Sequence, residues 1–345
     1  MRVRILNSDT SFSAAPDQAL LDAAIGASLN LPHSCKGGNC GSCRARLLQG
    51  EIYYPHGQPL GISAAETAEG FVLLCQAHAR GDVLLETFEV TTPTHTLIKR
   101  LPARIERALP LAHDVMGLYL KLPAAEDFHF EAGQYIDIML PGGRRRSFSI
   151  ASPPQDSRLL ELHVRRVPGG EFSESLFDHA RRSVLLNIEG PLGQFVYRAA
   201  AAPMLLIGGG TGIAPLLGIL RYLIGGGIER DMTLYWGVRS ERDLYAQAVL
   251  EELTRRAPRL HYMPVLSEPS PNWQGRRGLV HEAVLEDLDD LHQYDVYAAG
   301  PPAMIDAVRR DFPSRGADLQ RLYFDSFDYA PDTLARQRIS AATKS

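Results

Sequence analysis

A chain of 345 residues is long enough for roughly two or three domains, and 45% hydrophobic with 22% charged residues is an ordinary globular composition. A formal net charge of −4 excludes the strongly basic balance of a nucleic-acid binder. Four cysteines are too few to staple a chain of this length, so a disulfide scaffold is excluded and reduced thiols in the cytoplasm are expected.

The opening residues, MRVRILNSDTSFS, lack an apolar run and read as a strand rather than a signal peptide. Asp17–Ser28 follows with Leu20, Leu21, Ala24 and Ile25 at helical spacing. A cysteine loop comes next, then short strands such as CRARLL and DVLLETFEV, which make residues 1–92 a small α+β unit. TTPTHTLIKRLP has little periodicity and predicts a linker over 93–102. Over 103–198, short runs such as ARIERAL, VMGLYLKL, QYIDIML, SFSIA, LELHVRRV and SVLLNIEG alternate between turn residues, the pattern of an antiparallel barrel. From 199 to 330, apolar strands alternate with helical stretches, which predicts α/β units on a parallel sheet and leaves 331–345 as a tail. Ala199–Leu220 carries no charge and is about long enough to span a bilayer, but five glycines and two prolines read better as strand, turn and buried helix. No membrane span is therefore expected.

The cysteines are Cys35, Cys40, Cys43 and Cys75, spaced C-x4-C-x2-C with a distant fourth. That is the plant-type [2Fe–2S] spacing, in which each iron takes two thiolates. Gly37, Gly38 and Gly41 suit a collar whose backbone turns tightly and aims N–H groups at sulfur. Structural zinc usually takes two short-spaced pairs, and only one is present here. The first region is similar to the plant-type ferredoxins, with their β-grasp fold, over nearly its whole length.

Farther on, RRRSFSIAS could be a solvated basic turn entering a strand. It also contains Arg146-x-Phe148-Ser149, and His163-Val164-Arg165 and Gly170-x-x-Ser173 follow it in order. GGGTGIAP, Gly208 to Pro215, follows an apolar strand and opens a helix, where glycines admit a pyrophosphate to the helix N-terminus. Its last position does not fit G-x-G-x-x-G, because Ile213 stands there. GPLG (190–193), YWGVRSERDLY (235–245) and AGPPAM (299–304) complete the series. Together these stretches resemble the ferredoxin–NADP reductase-like flavoproteins. The order of regions, and AGQYIDIMLPGGRRRSFSIA, ELHVRRVPGGEFS and YFDSF, resemble CDP-6-deoxy-glucoseen reductases and the reductase components of bacterial ring-hydroxylating oxygenases.

The resemblance implies FAD on the barrel, NADH or NADPH on the parallel sheet, and electrons leaving singly through the cluster. It implies that Arg146 pairs with a flavin phosphate, Phe148 packs on the flavin and Ser149 hydrogen-bonds N5. His163, Val164 and Arg165 would form a second flavin strand, with Gly170 and Ser173 opening a phosphate-binding helix. Gly208, Gly209, Gly210, Thr211 and Gly212 would receive the coenzyme pyrophosphate, Arg239 and Tyr245 the adenosine, and Gly300 and Pro301 the nicotinamide. Phe327 would cover the flavin face. Ala299 replaces the family's cysteine beside the nicotinamide, which puts the efficiency of hydride transfer in question. NADH is favoured over NADPH, since Arg239 and Arg242 only permit a 2′-phosphate. The acceptor would be a protein, either an oxygenase component or a sugar dehydratase, and the chain a monomer. A redox sensor without turnover and a reductase of oxygen, free flavin or ferric iron are the rival readings. The intact glycine loops oppose the first, and the fused ferredoxin the second. The eleven histidines show no H-x-x-x-H pair, and His33 and Ser34 beside the collar read as packing.

Overall fold

The computed structural model describes residues 1–6, 10–27, 29, 31–33, 36–38, 41–59, 61–87, 98–179 and 184–327. Two compact units divide the chain, one of residues 1–98 with 191–194, the other of 99–190 with those from 195 on. The barrel and the parallel sheet, distinct in sequence pattern, thus share one unit.

In the first unit the strands are β1 (Arg2–Ile5), β2 (Ser11–Ser13), β3 (Arg44–Gln49), β4 (Ile52–Tyr53), β5 (Phe71–Leu73), β6 (His78–Ala79) and β7 (Val83–Thr87); the helices are α1 (Leu20–Gly26) and α2 (Ala64–Ala68). The main sheet runs β2-β1-β7-β3-β5. Its β1 and β7 are parallel and its other pairs antiparallel. In β1 the arginines face out while Val3 and Ile5 are buried, the period of two that seats a strand on a core. Leu20, Leu21, Ala23, Ala24 and Ile25 are the buried face of α1, so sheet and helix make a β-grasp. The helix begins at Leu20, not Asp17, because Gln18 closes a turn on Ala15: its N–H donates to the Ala15 carbonyl and its side-chain oxygen accepts the Ala15 N–H, each at 3.2 Å. A capping box between Ser63 and Glu66 starts α2.

The second unit opens with β8 (Lys99–Pro110), β9 (Val115–Lys121), β10 (Tyr135–Met139), β11 (Arg145–Ser149), β12 (Leu159–Arg165) and β13 (Leu185–Leu192), with α3 (Glu171–His179) before the last. Their order is β11-β10-β13-β8-β9-β12. An antiparallel bridge between Ile150 and Leu162 joins the two ends into a barrel. The expected linker over 93–102 is corrected here: Lys99 to Pro102 already belong to β8, while 93–97 lie outside the described residues. Pro102 conceals the strand in sequence. It is tolerated because β8 pairs with β13 alone at that point, and β9 joins only from Arg104.

The remaining strands, β14 (Met204–Gly209), β15 (Met232–Val238), β16 (Leu260–Leu266), β17 (Arg276–Arg277), β18 (Asp295–Gly300) and β19 (Leu322–Ser326), form a parallel sheet in the order β17-β16-β15-β14-β18-β19. Helices α4 (Ile213–Gly225), α5 (Gln247–Arg256), α6 (Val280–Asp287) and α7 (Pro302–Asp311) cover it. Successive β14 residues alternate between two cores: Met204 and Leu206 lie with α4 and α5 residues, Leu205 and Ile207 with α6 and α7 residues. The uncharged run at 199–220 is therefore β14, a glycine turn and buried α4. No described helix is long and apolar enough to cross a membrane.

The turn after β14 is set by backbone approach. A Cβ on Gly212 would lie 1.9 Å from the Ala299 carbonyl oxygen, although φ at Gly212 is an ordinary −61°. Across the same junction, a Cβ on Gly209 would lie 2.7 Å from the Met304 sulfur and 2.8 Å from Pro301 Cδ. The GGGTG and GPPAM segments thus interlock before any ligand is considered. Gly212→Ala is expected to destabilise the second unit by about 3 kcal/mol, since backbone must move. Gly225→Ala, where nothing lies within 4 Å, should be neutral or slightly stabilising. Urea unfolding followed by tryptophan fluorescence separates the two, because both tryptophans, Trp236 and Trp273, are in this unit.

Candidate functional site

In the first unit, Cys43 and Cys75 are buried; Cys35 and Cys40 lie outside the described residues. The collar before Cys43 uses left-handed backbone at Lys36 (φ 52°), Gly38 (φ 81°) and Gly41 (φ 71°). Gln76, next to Cys75, donates to the Lys36 carbonyl at 2.8 Å and so ties the fourth cysteine's segment to the collar. The Tyr54 hydroxyl, which accepts the Leu73 N–H at 3.0 Å, is pushed up first by burial; that bond lowers it, and the nearby Cys43 and Cys75 raise it again. Two buried thiols converging on one collar fit a metal cluster of thiolate ligands. The buried His33 is a packing residue: its Nδ1 lies 2.7 Å from the Leu31 carbonyl.

In the barrel, the three arginines of RRRSFS have different tasks. Arg144 pairs with Glu171 at the start of α3. Arg145 pairs with Glu189 and lies 3.5 Å from Asp137, which also accepts the Ser147 hydroxyl at 2.6 Å. Arg100 is a second cation on Glu189. Burial opposes the charge of Glu189, yet its hydrogen bonds to Arg100 and Arg145 keep it below the usual carboxylate range. Arg146 is half-buried and donates to the Arg145 carbonyl at 2.8 Å. Phe148 shares its side of β11 and packs on Phe172, ring centroids 5.6 Å apart. Val164 is fully buried in the barrel core, which leaves only its backbone to a ligand. Ser173 accepts the Val167 N–H at 3.0 Å and donates to the Gly170 carbonyl at 3.1 Å, closing the turn before α3. Gly170 has no room for a Cβ, which would sit 2.7 Å from that hydroxyl.

Where the barrel meets the parallel sheet, Ser149 donates to Asp325 at 2.9 Å, and both are buried. Asp325 lies in register with Ala299, and Ala299 with Gly208, so one row crosses β14, β18 and β19. Phe327 follows β19, its N–H donating to the Gly300 carbonyl at 2.9 Å while its ring, partly buried, packs on the core. Sequence reasoning missed Asp325. Its signal was the single charged residue inside YFDSF. Thr211 in the glycine turn is half-buried, and Arg239 is exposed at the end of β15. The Tyr245 hydroxyl lies 3.0 Å from His163 Nδ1 on the barrel. His163 Nε2 lies 3.0 Å from Glu161, whose other oxygen accepts from Arg221 at 2.7 Å. Arg165 pairs with Asp114 at 3.1 Å.

Three family models match this chain in order: a 2Fe-2S iron-sulfur cluster binding domain over residues 3–80, an oxidoreductase FAD-binding domain over 102–197 and an oxidoreductase NAD-binding domain over 206–310. The chain is 35% identical over 327 residues to the CDP-6-deoxy-L-threo-D-glycero-4-hexulose-3-dehydrase reductase of Yersinia pestis, covering 95% of this chain and 98% of that one. It is 37% identical over 320 residues to the aromatic O-demethylase reductase subunit of an Amycolatopsis species, covering 90% and 94%. The crystal structure of the Amycolatopsis cytochrome P450 reductase GcoB superposes with a TM-score of 0.79 at 34% identity, over 94% of this chain and 98% of that one. The chain belongs to the ferredoxin–NADP reductase-like family of iron–sulfur flavoprotein reductases. It is an NAD(P)H-dependent oxidoreductase with a [2Fe–2S] domain, an FAD domain and an NAD domain, as the sequence motifs implied.

Electrostatics at the junction of barrel and sheet give a test. Burial raises the Glu161 carboxyl, but the His163 hydrogen bond and the Arg221 charge outweigh it and hold the group at about 2, against an ordinary 4.5. A folded value below the unfolded one stabilises at pH above 4.5, and this contribution disappears as pH falls from 4.5 toward 2. The shift corresponds to stability on the order of 3 kcal/mol. Urea unfolding monitored by tryptophan fluorescence between pH 6 and 3 should show a decline that Glu161→Gln makes shallower; parallel declines would place the titrating group elsewhere.

Proposed function

We propose that this chain takes hydride from NADH and delivers single electrons to a partner protein, an oxygenase component or a sugar dehydratase, in the cytoplasm and as a monomer. The observation that carries the reading is the buried Ser149–Asp325 hydrogen bond, which brings the end of the barrel strand beside the row of Gly208 and Ala299. When bound, the nicotinamide supplies a hydride, the flavin divides the pair and the cluster carries one electron at a time.

The chain's own part is to bind and orient. Arg146 would hold a flavin phosphate, with Gly170 and Ser173 shaping the second phosphate turn. Phe148 and Ser149 would contact the flavin ring. Donation of the Ser149 hydrogen to Asp325 orients its Oγ and leaves the lone pairs free to accept a hydrogen bond, so Ser149 would meet a bound flavin as an acceptor. Gly208 to Gly212 would receive the coenzyme pyrophosphate, and Gly300 and Pro301 the nicotinamide. Phe327 would shield the flavin face from water until coenzyme displaces it. Cys35, Cys40, Cys43 and Cys75 would hold the two irons.

The relatives support both kinds of partner. The Yersinia pestis relative is named as a hexulose dehydrase reductase, and another, 33% identical over 335 residues, is the terephthalate 1,2-dioxygenase reductase component 2 of a Comamonas species. For the coenzyme, the loop between the exposed Arg239 and Arg242 supports NADH. Glu241 sits in it, held by the Ser270 hydroxyl and N–H, and the Ser270 side-chain bond keeps its carboxyl below the usual range. A fixed anion between two arginines opposes a 2′-phosphate.

Cys75→Ser should abolish cluster absorption and electron delivery to cytochrome c, while NADH-driven ferricyanide reduction survives because the hydride path lies in the second unit. Equal loss of both activities would contradict this division of labour. Kinetics with both coenzymes should give the higher kcat/KM for NADH, and Glu241→Gln should move the ratio toward NADPH; a native preference for NADPH would overturn the coenzyme assignment.

A further inference from the structure

We propose that Tyr245 and His163 are positioning residues for hydride transfer, joining the barrel to the coenzyme turn through a hydrogen-bonded relay. The inference rests on the reading of Gly208 to Gly212 as the pyrophosphate turn.

The relay begins at Glu161. Its carboxylate can only accept, and one oxygen lies 3.0 Å from His163 Nε2, so that nitrogen carries a hydrogen. In the neutral imidazole Nδ1 is then an acceptor, and the Tyr245 hydroxyl 3.0 Å away donates to it. The tautomer is fixed by the carboxylate and the tyrosine together. His163 is 6% exposed, so neither nitrogen has water as a ready substitute.

Both ends of the relay cross from the barrel to the parallel-sheet layer. At one end the second Glu161 oxygen accepts from Arg221 on α4, at 2.7 Å, and Arg221 also donates to the Ala151 carbonyl at 2.8 Å. At the other, the Tyr245 ring stands edge-on to Trp236, centroids 5.3 Å apart. The Trp236 indole N–H donates to the Gly210 carbonyl at 2.8 Å. Gly210 has φ +56°, and a Cβ there would meet the Arg165 guanidinium at 3.0 Å. Arg165 is two residues beyond His163 on β12. The strand therefore reaches Gly210 directly through Arg165 and indirectly through His163, Tyr245 and Trp236.

This geometry has a consequence for rate. Hydride transfer needs donor and acceptor about 3–3.5 Å apart, and a displacement of about 1 Å costs of order a hundredfold. Flavin ligands come from the barrel and coenzyme ligands from the glycine turn, so whatever sets the one against the other sets that distance. Tyr245 has its hydroxyl committed to the barrel and its ring to His163 and Trp236. It acts through Gly210, not on the adenosine.

The test uses the full holoprotein and the variants Tyr245→Phe, His163→Leu, His163→Gln and Tyr245→Phe with His163→Leu. Three quantities are read: NAD⁺ affinity by calorimetry, the limiting rate of flavin reduction at saturating NADH by stopped flow, and the thermal unfolding midpoint. Tyr245→Phe and His163→Leu should each lower the limiting rate about tenfold and leave NAD⁺ affinity and FAD content within about twofold, with the double variant no slower than either. His163→Gln, whose amide both accepts and donates, should recover most of the rate. The unfolding midpoints should show the same non-additivity, a readout that needs no turnover. Weakened NAD⁺ binding at an unchanged limiting rate would make Tyr245 a coenzyme contact and overturn the proposal, as would FAD loss in His163→Leu or additive effects in the double variant. A parent protein whose flavin NADH does not reduce would instead refute the functional reading, and the unfolding cycle would still decide whether the relay exists.

Discussion

The arrangement depends on one contact of backbone with backbone. Gly212 lies so close to the Ala299 carbonyl that no side-chain carbon fits between them. This approach locks the turn after β14 to the end of β18 and fixes the row in which Gly208, Ala299 and Asp325 are neighbours. Ser149 reaches that row from the barrel, and Phe327 leaves it at the Gly300 carbonyl. The glycines in both motifs thus have a structural reason that does not require a ligand, and the same absence of side chains leaves backbone open to an anion. Ala299 itself is fully buried in that row.

Charge placement supports the same division. Carboxylates take up Arg144 and Arg145, and Glu189 holds Arg100 as well. Pairing fixes the guanidinium groups of two of the three successive arginines at the start of β11. A buried carboxylate with two cationic partners is a means of ordering a strand more than a source of net stability. At the junction the imidazole and guanidinium partners of Glu161 come from different layers of the unit.

Much of this was legible in the sequence, for physical reasons. Thiolate spacing is dictated by iron geometry, so four cysteines suffice to reveal the collar. Strand alternation in 103–198 and the apolar runs from 199 report directly which faces are buried. Pro102 misled because a proline rules out only a ladder hydrogen bond, and β8 makes none on that side until β9 joins it. Asp325 was hidden because its partner Ser149 is 176 positions away, and one sequence carries no record of that distance. The hydrogen bond from Tyr245 to His163 on another layer depends on packing that periodicity does not encode. The cluster is the converse case: its domain was clear from cysteine spacing, while two of the four candidate cysteines lie outside the described residues.

Electrons that arrive as a pair from NAD(P)H pass through the FAD domain and leave singly through the [2Fe–2S] domain. Anaerobic titration with NADH, followed by visible absorption and electron paramagnetic resonance, tests this route most directly. The account predicts that flavin and cluster absorption both bleach and that the resonance of a reduced [2Fe–2S] centre appears. Flavin bleaching beside a cluster that stays oxidised and silent would contradict it.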